Sequence, residues 1–364
     1  MSDSEPDNDL LDFLRQHFSK ASIASVPETK VLEGAEYVYH NSIDVALDSQ
    51  STIAAAAMIY EQMQKKQYST KTWQSHDFHP QALDASTVDF IFTMDLLNFS
   101  FWSENDEEER FAIEYQGKRC TGYKSLVAAL QRALEEGIPI TSSDFWQSED
   151  ECTIDVLRHV FRSATAEEIP LLRERFDCLQ EAGEVLYEKY QCSFTKCIEA
   201  ANHSAAALVN LLAENFTCFN DVFPYENRKN VRFLKRAQIC VADLWAAFDG
   251  KGYGEFHDID GLTIFADYRV PQILNSLGCL WYSPLLQSAV NQKKVIESGH
   301  SWELQIRGCS IWCVELIRRE ILRKHPDANI NAILIDFFLY DLMKEREAAG
   351  QEDIPHHRTR SIWY

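Results

Sequence analysis

Apolar residues recur three and four positions apart along most of this chain, the spacing that gathers them on one face of a helix. The pattern takes hold at Gly34 and runs through Val38, Ile43 and Val45, then Ile53, Ala57 and Tyr60, then Val88, Ile91, Phe92 and Leu96. It predicts further helices over 123–136, 153–161, 169–190, 194–199 and 205–215, each opening at or near a capping residue such as Ser or Thr. The strongest periodicity lies in the C-terminal third, at 233–248, 270–277, 310–323 and 330–347. One segment breaks the rhythm: 111–115 and 119–123 alternate around Gln116, Gly117 and Lys118, the pattern of a hairpin. The fold class is therefore mainly α, a helical bundle with one small β-hairpin near 111–123. Residues 1–30 read as a mobile acidic extension with a short amphipathic stretch, Leu10, Leu11, Phe13, Leu14 and Phe18. Residues 31–364 read as a single helical domain, and the polar, turn-rich segment 142–152 is where two lobes would meet.

Composition narrows the classes of ligand. With 364 residues, 46% of them hydrophobic, the chain can bury a large core without disulfide staples. Its 10 cysteines contain no C-x-x-C pair and suit a reducing compartment. No set of His and Cys stands at zinc-site spacing, so neither a metal nor a cofactor is expected. The net charge of -21, from 56 acidic and 35 basic residues, opposes binding to a polyphosphate backbone. A small anion survives that argument, because a local basic cluster outweighs acids beyond a Debye length of roughly 8 Å. The chain opens on acidic and polar residues and contains no run of roughly 18 apolar residues. The expectation is a soluble monomer of the cytoplasm or nucleus, with no membrane and no intact nucleic acid as partner.

Candidate chemistry concentrates near the C-terminus. Asp267 follows the apolar run Leu262 to Phe265 and precedes Tyr268, Arg269, Val270 and Pro271; proline there suits the first turn of a helix. Asp267 reads either as a helix cap or as a catalytic carboxylate facing a developing positive charge. Asp336 and Asp341 interrupt the almost wholly apolar stretch from Ile330 to Tyr340, where ionised groups need partners or a function. Phe337 and Asp341, four apart, share a helix face, and Asp336 lies about 140° around from Asp341, so the two acids flank a site. His76 and His79 sit in a turn before Pro80, where a neutral imidazole can bond a polar ring. Lys235 with Arg236, and the tail from His356 to Arg360, are compact basic clusters able to hold a single phosphate. Gly250 to Gly254 lacks the Gly-Lys-Ser/Thr ending of a phosphate loop and reads as a connector. Serine-hydrolase, zincin and dinucleotide-binding signatures are missing.

Several ordered stretches, taken together, carry a resemblance: Thr93 to Ser103, Glu136 to Thr141, Lys235 to Ile239, Thr263 to Gln272 and Arg307 to Arg318. From about Gly34 to Tyr364 the chain resembles the queuosine salvage protein family. The resemblance implies a nucleotide N-glycosidase that frees queuine from queuosine 5'-phosphate, on a helical fold similar to helix-hairpin-helix DNA glycosylases. It implies Asp267 as the catalytic residue, Phe265 stacking on the deazapurine, and His76, Asp336, Phe337 and Asp341 lining the base pocket. Phe337 stands where relatives often carry Tyr, keeping the stacking face without the hydroxyl. The turn at Leu277 and Gly278 lacks the Gly-rich hairpin with which DNA glycosylases grip a backbone, which favours a free nucleotide. Two alternatives stay open: a glycosylase for another modified nucleoside or nucleotide, and a non-catalytic queuine-binding protein.

Overall fold

The computed structural model describes residues 26–74, 76–350 and 354–364. The extension expected over 1–30, with its amphipathic stretch, falls outside these residues up to position 25. The helices expected in the middle of the chain form as Tyr123–Glu135, Ile154–Val160, Leu172–Tyr190, Phe194–Ala200 and Ala205–Asn215. In the C-terminal third the helices are Lys235–Ala247, Arg269–Ser276, Ser301–Lys324 and Ala332–Ala348. Ser301–Lys324 begins nine residues before the apolar spacing suggested, capped by the His300 side chain, which accepts from the Trp302 amide. Its first turns hold the buried charges Glu303 and Arg307, which interrupt the hydrophobic pattern although the backbone stays helical. Gly308, on the same helix, permits the closest approach to Val31–His40: a Cβ there would stand 2.5 Å from a Val38 methyl group.

Among the described residues three two-stranded antiparallel sheets accompany the helices. The expected hairpin pairs Ile113–Tyr115 with Lys118–Cys120. A second pairs Val222–Tyr225 with Arg228–Arg232, and a third joins Val45–Leu47 to Leu280–Tyr282. Neither was legible in sequence. Arg228–Arg232 has a single apolar residue and no alternation, and the third sheet is a three-residue pairing between distant parts of the chain. The segment 142–152 forms the short helix Ser143–Gln147, with Phe145 and Trp146 buried and Trp146 packed against Gly183 of Leu172–Tyr190. Buried residues from Val31 to Met343 form one hydrophobic cluster. Among the described residues no helix is long and apolar enough to cross a membrane. The tail from Ile354 to Tyr364 packs into the body: Ile296 donates to the Arg358 carbonyl at 2.8 Å, and Trp102 Nε1 to that of Thr359 at 2.9 Å.

Candidate active site

Of the residues singled out in sequence, Phe265, Asp267, Asp336, Phe337 and Lys235 come together where the turn at 262–268 meets the starts of Arg269–Ser276 and Lys235–Ala247 and the face of Ala332–Ala348. Asp267 immediately precedes Tyr268 at the head of Arg269–Ser276, with Pro271 in that helix's first turn. Its Oδ1 accepts from the amides of Arg269 at 2.8 Å and Val270 at 2.9 Å. Its other oxygen has no hydrogen-bond partner among the described residues, and the side chain is half-buried. Capping and chemistry are therefore compatible: one oxygen orients the carboxylate and the other remains open.

Asp336 projects from Ala332–Ala348 beneath the same turn, where its Oδ2 accepts the Phe265 amide at 2.9 Å. Burial, reinforced by the negative charge of Asp267, pushes its carboxyl well above the ordinary range. The shift favours the protonated form of Asp336, in which the carboxyl has a proton to offer a ligand. One residue on, the half-buried Phe337 ring lies 6.0 Å from that of the buried Phe265, inclined at 48°. Asp341 accepts from the Tyr68 hydroxyl, and burial raises its pKa against that bond and the pull of Lys66 and Lys124. The two acids take separate partners, as their angular offset on the helix requires.

His76 is neutral, because burial, aided by Lys124, lowers its pKa to about 4. Its Nδ1 accepts from the Phe78 amide at 3.3 Å, so the ring proton sits on Nε2, a buried atom with no partner among the described residues. The ring stacks on His79 at 4.2 Å. His79 is fixed in turn by the Trp73 carbonyl at 2.8 Å and the Tyr123 hydroxyl at 2.7 Å. The charge of Lys124 reaches both His76 and Asp341, which ties this turn to the C-terminal helix.

The basic pair separates. Lys235 is buried, and the charges of Asp267, Asp95 and Asp336 offset the lowering of its pKa by burial. Arg236, expected beside it as a phosphate ligand, is instead committed to the core. Its guanidinium donates to the carbonyls of Asp95 at 2.9 Å, Leu96 at 2.6 Å and Cys218, and lies over the rings of Phe99 and Phe219. Consecutive helix positions differ by about 100°, so only one of two neighbours can face the site. In the tail, the His356 ring lies 4.6 Å from that of Tyr268, and Arg360 covers Trp102 at 3.5 Å while donating to its carbonyl at 2.8 Å.

Two further acids belong to the same surroundings. Asp95, at the end of Ala85–Leu96, is fully buried, and burial raises its pKa to about 7. Its Oδ2 has no partner among the described residues. Asp243, on Lys235–Ala247, is pushed well above the ordinary range by burial and then by Asp95. The signal that marked Asp336, an acid inside an apolar helix, was present at both: Asp95 follows Ile91, Phe92 and Met94, and Asp243 lies between Ala242 and Leu244. The surroundings of the 262–268 turn therefore combine an oriented carboxylate, acids whose pKa burial raises, one buried lysine and two aromatic rings. The two rings suit a flat ring stacked beside that carboxylate. Among the described residues no three His, Cys, Asp or Glu side chains are gathered to hold a metal ion.

Known proteins share this chain's sequence almost end to end. A 44% identical relative from Schizosaccharomyces pombe aligns over 92% of this chain and 100% of its own length, and is named queuosine 5'-phosphate N-glycosylase/hydrolase. Relatives of the same name from Nematostella vectensis, 42% identical over 91% of this chain and 97% of their own, and from Bos taurus, 40% identical over 91% and 98%, align likewise. The model of the queuosine salvage protein family matches residues 78–364, which include Asp267, Asp336 and Lys235. The chain belongs to the queuosine salvage protein family.

Proposed function

We propose that this protein hydrolyses the N-glycosidic bond of queuosine 5'-phosphate, releasing queuine and ribose 5-phosphate. The observation that carries the reading is Asp267, with one oxygen held by two amides and the other open, beside the Phe265 and Phe337 rings. The shared name of the relatives supports the substrate. The net charge of -21 favours a free nucleotide over a nucleic-acid chain.

In the reaction the bond between the anomeric carbon and the ring nitrogen breaks, and its electron pair leaves with the base. The sugar becomes oxocarbenium-like, and the open oxygen of Asp267 faces that charge and orients water. Water gives its hydroxyl to the anomeric carbon and a proton balances the departing nitrogen. A 7-deazapurine has carbon in place of N7, so the usual protonation site is missing and leaving-group help comes from polar contacts on the rest of the ring. Asp336, next to Phe265 and with its pKa raised by burial, supplies a donor there in its protonated form. His76 offers a second through Nε2. The secondary amine of queuine, cationic near neutral pH, meets the acidic lining that includes Asp341. The 5'-phosphate is drawn to the cations around Asp267, Lys235 and Arg269.

The test is incubation of the purified chain with queuosine 5'-phosphate and, separately, with queuosine, following free queuine by chromatography. Time-dependent release that disappears in Asp267→Asn is the expected result. Queuine binding without release would instead leave a non-catalytic carrier.

A further inference from the structure

The side chain of Arg307 is wholly buried, and its guanidinium joins three parts of the chain. Nε donates at 3.0 Å to the carbonyl of Ala266, the peptide that enters Asp267. Nη1 and Nη2 grip both oxygens of Asp221, at 3.0 and 2.5 Å. Nη1 also reaches Glu303, one turn earlier on its own helix, at 3.3 Å. The planar group lies between the rings of Phe233 and Tyr364, at 4.2 and 4.5 Å, and the Tyr364 hydroxyl donates to Glu303 at 3.0 Å.

Asp221 carries the connection to the second charged group of the site. Its Oδ2 accepts from the Lys235 amide at 3.2 Å, and its carbonyl accepts from Phe233 at 3.0 Å and Leu234 at 3.4 Å. Leu234 is left-handed, at φ 48° and ψ 37°, immediately before Lys235. A branched residue in that region is rare and persists only where its surroundings over-determine it. Here the surroundings are Asp221 and, through it, Arg307.

A buried ion pair is weak grounds for stability, since well-packed apolar residues often serve as well. What apolar residues cannot do is bond three specific acceptors in one plane. We propose that Arg307 is a positioning residue: through the Ala266 carbonyl and Asp221 it sets the Asp267 carboxylate and the Lys235 side chain relative to each other. This rests on the reaction proposed above. Misplacement of a reacting group by about 1 Å costs on the order of a hundredfold in rate.

The experiment is steady-state release of queuine from queuosine 5'-phosphate by the full chain as wild type, Arg307→Lys, Asp221→Asn, Lys235→Met and the double variant Arg307→Lys/Lys235→Met. Folding is checked by circular dichroism and queuine binding by calorimetry. Arg307→Lys keeps the charge but loses the planar fork. Its kcat is expected to fall ten- to a hundredfold with KM and queuine affinity within about threefold, and Asp221→Asn to behave alike. In the Lys235→Met background the Arg307→Lys effect should shrink, because the spacing it maintains has lost one end. Full kcat in folded Arg307→Lys, an undiminished effect in the double variant, or equal losses of kcat and queuine affinity would each overturn the proposal. Failure of both Arg307→Lys and Asp221→Asn to fold would also overturn it, assigning the network to stability. Absence of release by the wild type would sink the proposed reaction instead.

Discussion

The Phe265 amide donates to the Asp336 carboxyl at 2.9 Å, locking an aromatic ring on an irregular turn to an acid on the C-terminal helix. Asp336→Asn keeps an acceptor at that point and removes a carboxyl whose pKa burial raises, so the melting temperature near pH 7 should rise rather than fall. Asp336→Leu orphans a buried amide, and its stability in a denaturant titration should fall by about 1–3 kcal/mol.

Asp267→Asn retains a carbonyl oxygen for the amides of Arg269 and Val270, so the helix remains capped. Only the negative charge is lost. Turnover of queuosine 5'-phosphate should drop on the order of a thousandfold while the circular dichroism spectrum stays that of the wild type. Near-normal turnover would remove Asp267 from the chemistry.

Phe265 and Phe337 present paired rings, and stacking a base on an aromatic side chain contributes about 1–3 kcal/mol. Phe337→Leu, which keeps the bulk and removes the ring face, should weaken queuine binding about tenfold in calorimetry. Unaltered affinity would mean that the base does not stack there.

Asp95 bears on alkaline stability. Its folded pKa of about 7 lies above the ordinary 3.8, so between those values the folded state holds a proton that the unfolded state has released. Stability from this group is fully present below about 3.8 and lost as pH rises through about 7. Asp95→Asn removes that loss and should stabilise the protein at pH 8 by on the order of 2–4 kcal/mol, the gain fading toward pH 4. Thermal melts of both proteins across that range provide the check.

The histidines act in the opposite sense. Burial lowers His76 and His356 to about 4 and His79 and His357 to about 3, from an ordinary 6.5. Below pH 6.5 the unfolded chain takes up protons that the folded chain refuses, so this contribution to stability is lost as pH falls. His79→Gln should show a shallower loss of melting temperature between pH 6.5 and 4 than the wild type. An equally steep loss would show that His79 is not buried neutral.

Much of the helical content is legible because helix is written locally: apolar residues every third or fourth position, with Thr153, Ser204 or Asn331 capping some of the runs. Asp336 and Phe337 stood out for the same reason, as departures from a local pattern. The two sheets that escaped notice are short pairings whose partners lie apart in the chain or lack alternation. Arg236 was misread because composition marks it as basic, whereas its direction depends on which face of Lys235–Ala247 meets the core. Asp243 and Asp95 carry the same local signal as Asp336, an acid among apolar neighbours.

The sequence by itself determined a helical protein with acids set into apolar helices and a carboxylate at a helix start, since these are properties of neighbouring residues. Only the tertiary structure decided that Asp267, Asp336, Lys235, Asp95 and Asp243 share one electrostatic field, and that Arg307 spans the turns presenting two of them. Proton affinity depends on burial and on charges brought close in space, and neither quantity exists until the chain has folded.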